Sequence, residues 1–212
     1  MHNDIKALVF DLDGTLYTSA PLGREILLSA ARYVAELKAV GDGEAEQLIR
    51  DAKKRLSAAS GFDATLSLAC RELGGDLREL HRRFAADIKP EHYLSRDERV
   101  ADLLKTLGGR FDLYLYTNNN RQLSTAIMDL LGVAGLFRGV FTIEDTWRPK
   151  PDRAGLEDIF RGIGREPEEC LFIGDRYDID LRLPAALGCA VFLVSTTEEL
   201  FHLCTLMTEE NV

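Results

Sequence analysis

Asp11 and Asp13 are the side chains whose spacing first points to chemistry. They follow at once on the apolar run Ala7-Leu8-Val9-Phe10, alternate with Leu12, and give way to Gly14-Thr15. The apolar run reads as a short buried strand. In extended backbone, residues i and i+2 project to the same side, so the two carboxylates converge where the strand ends. Open α/β sheets bind their ligands at that end. Two like charges that close repel unless a cation sits between them or one takes up a proton. The pair therefore points to a hard divalent cation with one carboxylate free to act as nucleophile or acid. The plainer reading is a strand followed by an Asp-Gly turn whose acids are solvated.

Three further polar groups stand in comparable places. Thr117-Asn118-Asn119-Asn120 follows the strand-like Phe-Asp-Leu-Tyr-Leu-Tyr of residues 111–116, and Gly174-Asp175 follows Leu171-Phe172-Ile173. Lys150 lies in Trp147-Arg148-Pro149-Lys150-Pro151-Asp152, just beyond a short strand over residues 139–142. The flanking prolines restrict the backbone there, which suits a lysine that must be held in place. Taken singly, these are a turn, a helix cap and a surface cation. In a parallel sheet all such ends share one edge, so together they read as one site.

The elements that must position them alternate in rhythm. Residues 24–38, 44–59, 63–73 and 77–88 keep a helical spacing of apolar positions, broken at Gly41-Asp42-Gly43, Gly61 and Gly74-Gly75, with Asp76 as a helix cap. No strand interrupts them, so they read as a small helical module inserted after the first strand. From Tyr93 onward helices (97–107, 122–131, 152–163, 180–187) alternate with strands (111–116, 139–142, 171–173, 190–194). This pattern predicts an α/β fold, a doubly wound, parallel, five-stranded sheet with right-handed crossovers. Residues 1–17 and 91–212 form its core domain and residues 18–90 the helical domain. Residues 208–212 are expected to fray.

Composition bounds the function. With 26 basic against 35 acidic residues in 212, the formal charge is −9, which argues against a nucleic acid polymer or an anionic membrane as partner. An anionic small molecule remains compatible, since a bound cation reverses the local field. Cys70, Cys170, Cys189 and Cys204 are scattered, without zinc-ligand spacing, and read as reduced core cysteines. The opening Met-His-Asn-Asp is not the start of a basic or apolar leader, and no apolar stretch approaches membrane-spanning length. The expected location is cytoplasmic.

These motifs in this order resemble the four signature motifs of the haloacid dehalogenase-like (HAD) hydrolases, a superfamily of aspartate-nucleophile phosphatases. Asp11-Leu12-Asp13-Gly14-Thr15 matches the first, Thr117 the second and Lys150 in Lys-Pro-Asp the third. Gly174-Asp175 matches the fourth, with Asp180 as its second acid and Asp178 as the competing choice. The likeness implies a Rossmann-like core, and the helical module looks like the family's first-type cap.

The resemblance implies hydrolysis of a phosphate monoester. Asp11 is the nucleophile and forms an aspartyl-phosphate; Asp13 is general acid, then base. Magnesium is held by the Asp11 carboxylate, the Asp13 backbone carbonyl and Asp175, with Asp180 supporting that arrangement from behind. Thr117 and the Asn118 backbone bind phosphoryl oxygens, and Lys150 balances charge on Asp11 and the transferring group. Dehalogenases of the family lack the second aspartate, so Asp13 favours phosphoryl transfer. Residues 16–22 are expected as a hairpin that lets the cap close, and Gly61-Phe62 falls near the family's substrate-contacting loop.

The substrate is less legible. Tyr116-Thr117-Asn118, Phe141-Thr142-Ile143-Glu144-Asp145 and Gly174-Asp175-Arg176-Tyr177 look like the pyrimidine 5′-nucleotidase branch, which implies a nucleoside 5′-monophosphate. The alternative is a phosphoglycolate or sugar-phosphate phosphatase. A non-catalytic phosphate-binding or partner-binding member is the rival from another class. A nucleotide-binding domain with a Gly-rich loop is disfavoured, because no GxGxxG or GxxxxGK follows the first strand. The expected partner is a small phosphorylated metabolite, and the chain is expected as a monomer or weak homodimer.

Overall fold

A computed structural model describes residues 5–209. Five parallel strands, β1 (Ala7–Phe10), β2 (Asp112–Tyr116), β3 (Gly139–Phe141), β4 (Cys170–Gly174) and β5 (Ala190–Leu193), form one sheet in the order β3-β2-β1-β4-β5. β1 sits in the middle, flanked by β2 and β4, with Phe10 level with Leu115 on one side and Ile173 on the other. The chain winds outward in one direction through β2 and β3 and in the other through β4 and β5. The crevice where the winding reverses lies beyond the end of β1. Asp11 is the next residue, and its backbone N–H still donates to the Ile173 carbonyl at 2.8 Å.

Both faces of the sheet are covered, as an all-parallel sheet requires. Leu8, Phe10, Leu113, Leu115, Leu171 and Ile173 face helices α5 (Glu98–Gly108), α6 (Arg121–Leu131) and α10 (Thr197–Glu209) within the larger hydrophobic cluster. Ala7, Val9, Tyr114, Tyr116 and Phe172 point the other way, onto Leu156, Ile159 and Ile163 of α8 (Arg153–Ile163). The alternation along each strand is the period-two pleat.

Between β1 and α5 come α1 (Ala20–Lys38), α2 (Asp42–Ser60), α3 (Leu66–Glu72) and α4 (Leu77–Asp87), the four helices expected from the periodicity. Their buried residues, among them Ala30, Val34, Ile49, Cys70 and Leu80, belong to the same contiguous cluster as the larger sheet layer. α1 starts earlier than the apolar rhythm implies, because Ser19 caps it by accepting from Leu22 N at 3.3 Å and Pro21 fits the first turn. α3 starts later, at a cap made by Thr65. Asp76 caps α4 as expected, accepting from Glu79 N at 2.9 Å.

α7 (Ile143–Thr146) and α10 were not foreseen. α7 is a single turn set by the Thr142–Asp145 capping box. In place of the helix expected over 180–187, one turn of π-helix (Tyr177–Leu181) leads into the short α9 (Arg182–Ala186). Cys70, Cys170 and Cys189 are free and buried, and burial pushes each thiol up to about 12. The last three residues of the segment expected to fray lie outside the described residues. No helix among the described residues is long and apolar enough to cross a membrane.

Candidate active site at the carboxyl edge of the sheet

The strand ends bring the polar groups together. Lys150, only 3% exposed, reaches across the edge and donates to Asp11 Oδ1 at 2.6 Å, Asp180 Oδ1 at 2.7 Å and the Tyr116 carbonyl at 3.0 Å. Its backbone is fixed by Asn118, whose side-chain oxygen accepts from Lys150 N at 2.7 Å. Residues more than a hundred positions apart thus share one point. Asp178 stands apart from this centre, 3.7 Å from Arg182. Asp180 is the acid brought to the lysine, and its second oxygen accepts from Arg176 N at 3.2 Å.

Asp13 lies on the other side of Asp11. Its carboxylate accepts from Asn119 Nδ2 at 3.1 and 2.9 Å, from the Tyr17 hydroxyl through a short contact, and from Thr117 Oγ1 at 3.5 Å. Thr117 itself is buried, and its hydroxyl also accepts from Asn119 N at 3.1 Å. Residues 12–17 form a closed turn in which Gly14 N donates to the Tyr17 carbonyl at 3.0 Å. Gly14 takes φ +88°, and a Cβ there would lie 2.3 Å from Asp175 Oδ2. Glycine is required at this point both by the left-handed backbone and by the approach of the Asp175 carboxylate.

Burial dominates the electrostatics. It raises the Asp11 carboxyl to about 7, with Lys150 opposing and Asp180 and Asp13 adding to the rise. Asp13 is raised by burial, against the Tyr17 hydrogen bond and the charges of Arg176 and Lys150. Asp175 is raised by burial too, with Arg176 opposing. For Lys150, burial works against the charge, yet Asp11 and Asp180 carry the ammonium above its ordinary value.

Asp11, Asp13, Asp175 and Asp180 therefore face Lys150 and Arg176, four carboxylates against two cations, which leaves two negative charges uncompensated when all are ionised. Asp11 Oδ2 and Asp175 Oδ1 are buried without a hydrogen-bond partner. Asp11, Asp175 and Asp180 each offer an oxygen within 4.8 Å of the others. Hard oxygen donors, unpartnered and in excess by two charges, fit a divalent cation such as magnesium.

Above this floor is a cavity of about 450 Å³. Asp13, Gly14, Asn118, Asn119, Asp175 and Arg176 line it from the sheet edge, and Ile26, Thr65, Leu66, Ser67, His81 and Phe84 from α1, α3 and α4. Gly61 and Phe62 are not among its lining residues. Phe62 instead packs under the Arg182 guanidinium, 3.6 Å from its ring centroid.

The family model for haloacid dehalogenase-like hydrolases matches residues 5–188. The chain belongs to that family. A glyceraldehyde 3-phosphate phosphatase of Methanopyrus kandleri is 29% identical over 185 residues, covering 84% of this chain and 78% of that protein. A phosphoglycolate phosphatase of Shigella boydii is 28% identical over 203 residues, covering 88% and 79%. A HAD family enzyme from Bacteroides thetaiotaomicron, solved in complex with magnesium and inorganic phosphate, shares the fold with a TM-score of 0.58 at 17% identity, over 94% of this chain and 98% of that one. The protein is a HAD-type phosphatase.

Five residues of this HAD phosphatase enter its site without having been given a role there from the sequence; His81, which reads in sequence as a solvated helix-face group, is instead buried. Tyr17 and Asn119 grip Asp13, Arg176 stands beside Asp175 at 3.7 Å, and Ser67 and His81 come from the helical module. The sequence carried a local signal for three of them: Asn119 in the Thr-Asn-Asn-Asn turn, Arg176 directly after Gly174-Asp175, and Tyr17 in the segment expected as a hairpin.

Proposed function

We propose that this protein hydrolyses phosphate monoesters of small metabolites in a magnesium-dependent reaction, through an aspartyl-phosphate on Asp11. In this reading residues 1–17 and 91–212 are the catalytic core and residues 18–90 the cap that closes it. The observation that carries the reading is the environment of Asp11. One carboxylate oxygen is held by a buried lysine, while the other is buried beside Asp175 and has no partner.

An oxygen of Asp11 attacks phosphorus, and the bond from phosphorus to the ester oxygen breaks. Asp13 gives its proton to the leaving alcohol. Burial keeps that carboxyl protonated to higher pH than an exposed aspartate, while Tyr17, Asn119 and Thr117 hold its orientation. Asp13 then takes a proton from the water that attacks the acyl phosphate, releasing phosphate and restoring Asp11. Thr117 and the Asn118 backbone donate to phosphoryl oxygens, and Lys150 balances charge on Asp11 and on the group in transit.

The Asp11 carboxylate, the Asp13 backbone carbonyl and Asp175 would hold magnesium, and Asp180 keeps Lys150 in place. The ion, when bound, neutralises phosphoryl oxygens and polarises phosphorus. Support comes from the two unpartnered oxygens and from the related fold solved with magnesium and phosphate. The relatives named for glyceraldehyde 3-phosphate and phosphoglycolate favour small metabolites as substrates.

Borohydride trapping tests the intermediate. Quenching turnover with borohydride should convert Asp11 to homoserine, detectable by peptide mass spectrometry. Steady turnover with residue 11 unmodified would contradict it.

A further inference from the structure

The far wall of the cavity identifies the kind of alcohol that leaves. From the helical module come Ile26, Thr65, Leu66, Ser67, His81 and Phe84: apolar groups, two hydroxyls and an imidazole. Arg176 is the single cation among the described residues lining the cavity. It lies on the opposite side, 3.7 Å from Asp175, and its charge is already faced by Asp180, Asp11, Asp175 and Asp13.

Ser67 and His81 are built as a unit. Ser67 Oγ lies 3.3 Å from His81 Nε2, and the two side chains are 5% and 2% exposed. The His81 carbonyl accepts from Asn120 Nδ2 at 3.1 Å, which ties this helix to the turn after β2. The imidazole ring is wedged edge-on against Phe84 and Trp147, with centroids 5.3 and 6.3 Å away. Its Nδ1 is buried with no hydrogen-bond partner. Burial lowers His81 to about 4, so at neutral pH the ring is uncharged and has one donor and one acceptor nitrogen. Ser67 occupies one of them. A buried polar atom left unpaired is rare in folded proteins, and here it belongs to a residue lining the substrate cavity.

We propose that Ser67 and His81 form a neutral reading station for an uncharged hydroxyl or carbonyl on the leaving alcohol. The enzyme would thereby select phosphate esters of polyols, hydroxy-carbonyl compounds or nucleosides over esters whose leaving group carries a second anion. A carboxylate or second phosphate carried to this wall loses its hydration and meets no cation there, whereas a hydroxyl replaces its water with Ser67 and His81. The volume, about 450 Å³, lies in the lower half of the range of roughly 300–1,000 Å³ typical of small-molecule sites. The inference rests on the phosphatase reading above.

The test compares kcat/KM, with magnesium present, for glycerol 3-phosphate, glyceraldehyde 3-phosphate, phosphoglycolate and pyrophosphate, with para-nitrophenyl phosphate as reference. The two uncharged leaving groups should exceed the two anionic ones by about tenfold or more. In Ser67→Ala, and separately in His81→Phe, the ratio of glycerol 3-phosphate to phosphoglycolate should collapse towards one, mainly through KM for the hydroxylated ester. Ser67→Ala removes one oxygen and serves if His81→Phe does not fold. Phosphoglycolate or pyrophosphate turned over as well as the uncharged esters would overturn the proposal, as would a ratio unmoved in Ser67→Ala. Hydrolysis of para-nitrophenyl phosphate alongside either result would leave the phosphatase reading standing. Failure to hydrolyse any ester would overturn both.

Discussion

Lys150 is the residue on which the buried charges depend. With both carboxylate partners almost wholly excluded from solvent, it is the cation that lets Asp11 and Asp180 remain ionised near each other. Removing one member of a buried charge cluster leaves the others uncompensated, which typically costs about 3–5 kcal/mol. Lys150→Met is therefore expected to lose roughly that much stability at pH 8 by urea denaturation. The loss should shrink at pH 5, where Asp11, raised by burial to about 7, takes up a proton. Equal stability of the two proteins at pH 8 would show that the cluster is not ionised. Lys150 was legible in the sequence because two prolines and a strand end fixed its backbone locally. The role of Tyr17 was not, because nothing local says that its hydroxyl turns back onto Asp13.

At the scale of elements, the site is the consequence of where strands stop. β1 and β4 run in register, so Asp11 and the Gly174-Asp175 pair arrive at the same height, and Thr117 arrives from β2 on the other flank. Gly14 turns the chain away and leaves room for the Asp175 carboxylate. Gly14→Ala combines a left-handed backbone with an overlap at 2.3 Å, so destabilisation of about 1–3 kcal/mol is expected, together with a fall in turnover. Thermal melting and steady-state kinetics check both, and a variant unaffected in each would show that the turn yields freely. The strands and the helices α1 to α6 and α8 were legible because each carries its own hydrophobic period, whereas α10, though thirteen residues long, was missed. The single turn α7 and the π-helical turn before α9 were not legible, since they are too short to have such a period and are set by a capping box and by the anchoring of Asp180.

Across the whole molecule, the helical module and the sheet domain share one hydrophobic cluster and one cavity. Which module residues face the chemistry depends on that docking, so Ser67, Thr65 and His81 could not be found from periodicity, while Gly61-Phe62 does not line this cavity. Docking also leaves a pH signature. His81 is lowered by burial to about 4, below the ordinary histidine value of 6.5. Its neutral form is the one the fold accepts, so stability is complete above about 6.5 and falls as pH drops towards 4. The loss should reach about 3 kcal/mol once the unfolded chain is protonated and the folded one is not. The raised carboxyls of the site act with the opposite sign over this window, so the imidazole is read from a difference: between pH 7 and pH 4 the wild type should lose stability relative to His81→Phe, if that variant folds, by chemical denaturation. Parallel curves would place the imidazole in water.

The roles assigned to these residues meet at Asp11, whose replacement by asparagine keeps shape and removes only the nucleophile. Hydrolysis of para-nitrophenyl phosphate in magnesium, by wild type and by Asp11→Asn of equal folded content, measures that role. Wild-type turnover with the variant reduced by about a thousandfold or more, some 4 kcal/mol of barrier, is the expected result. A variant within tenfold of wild type would contradict it.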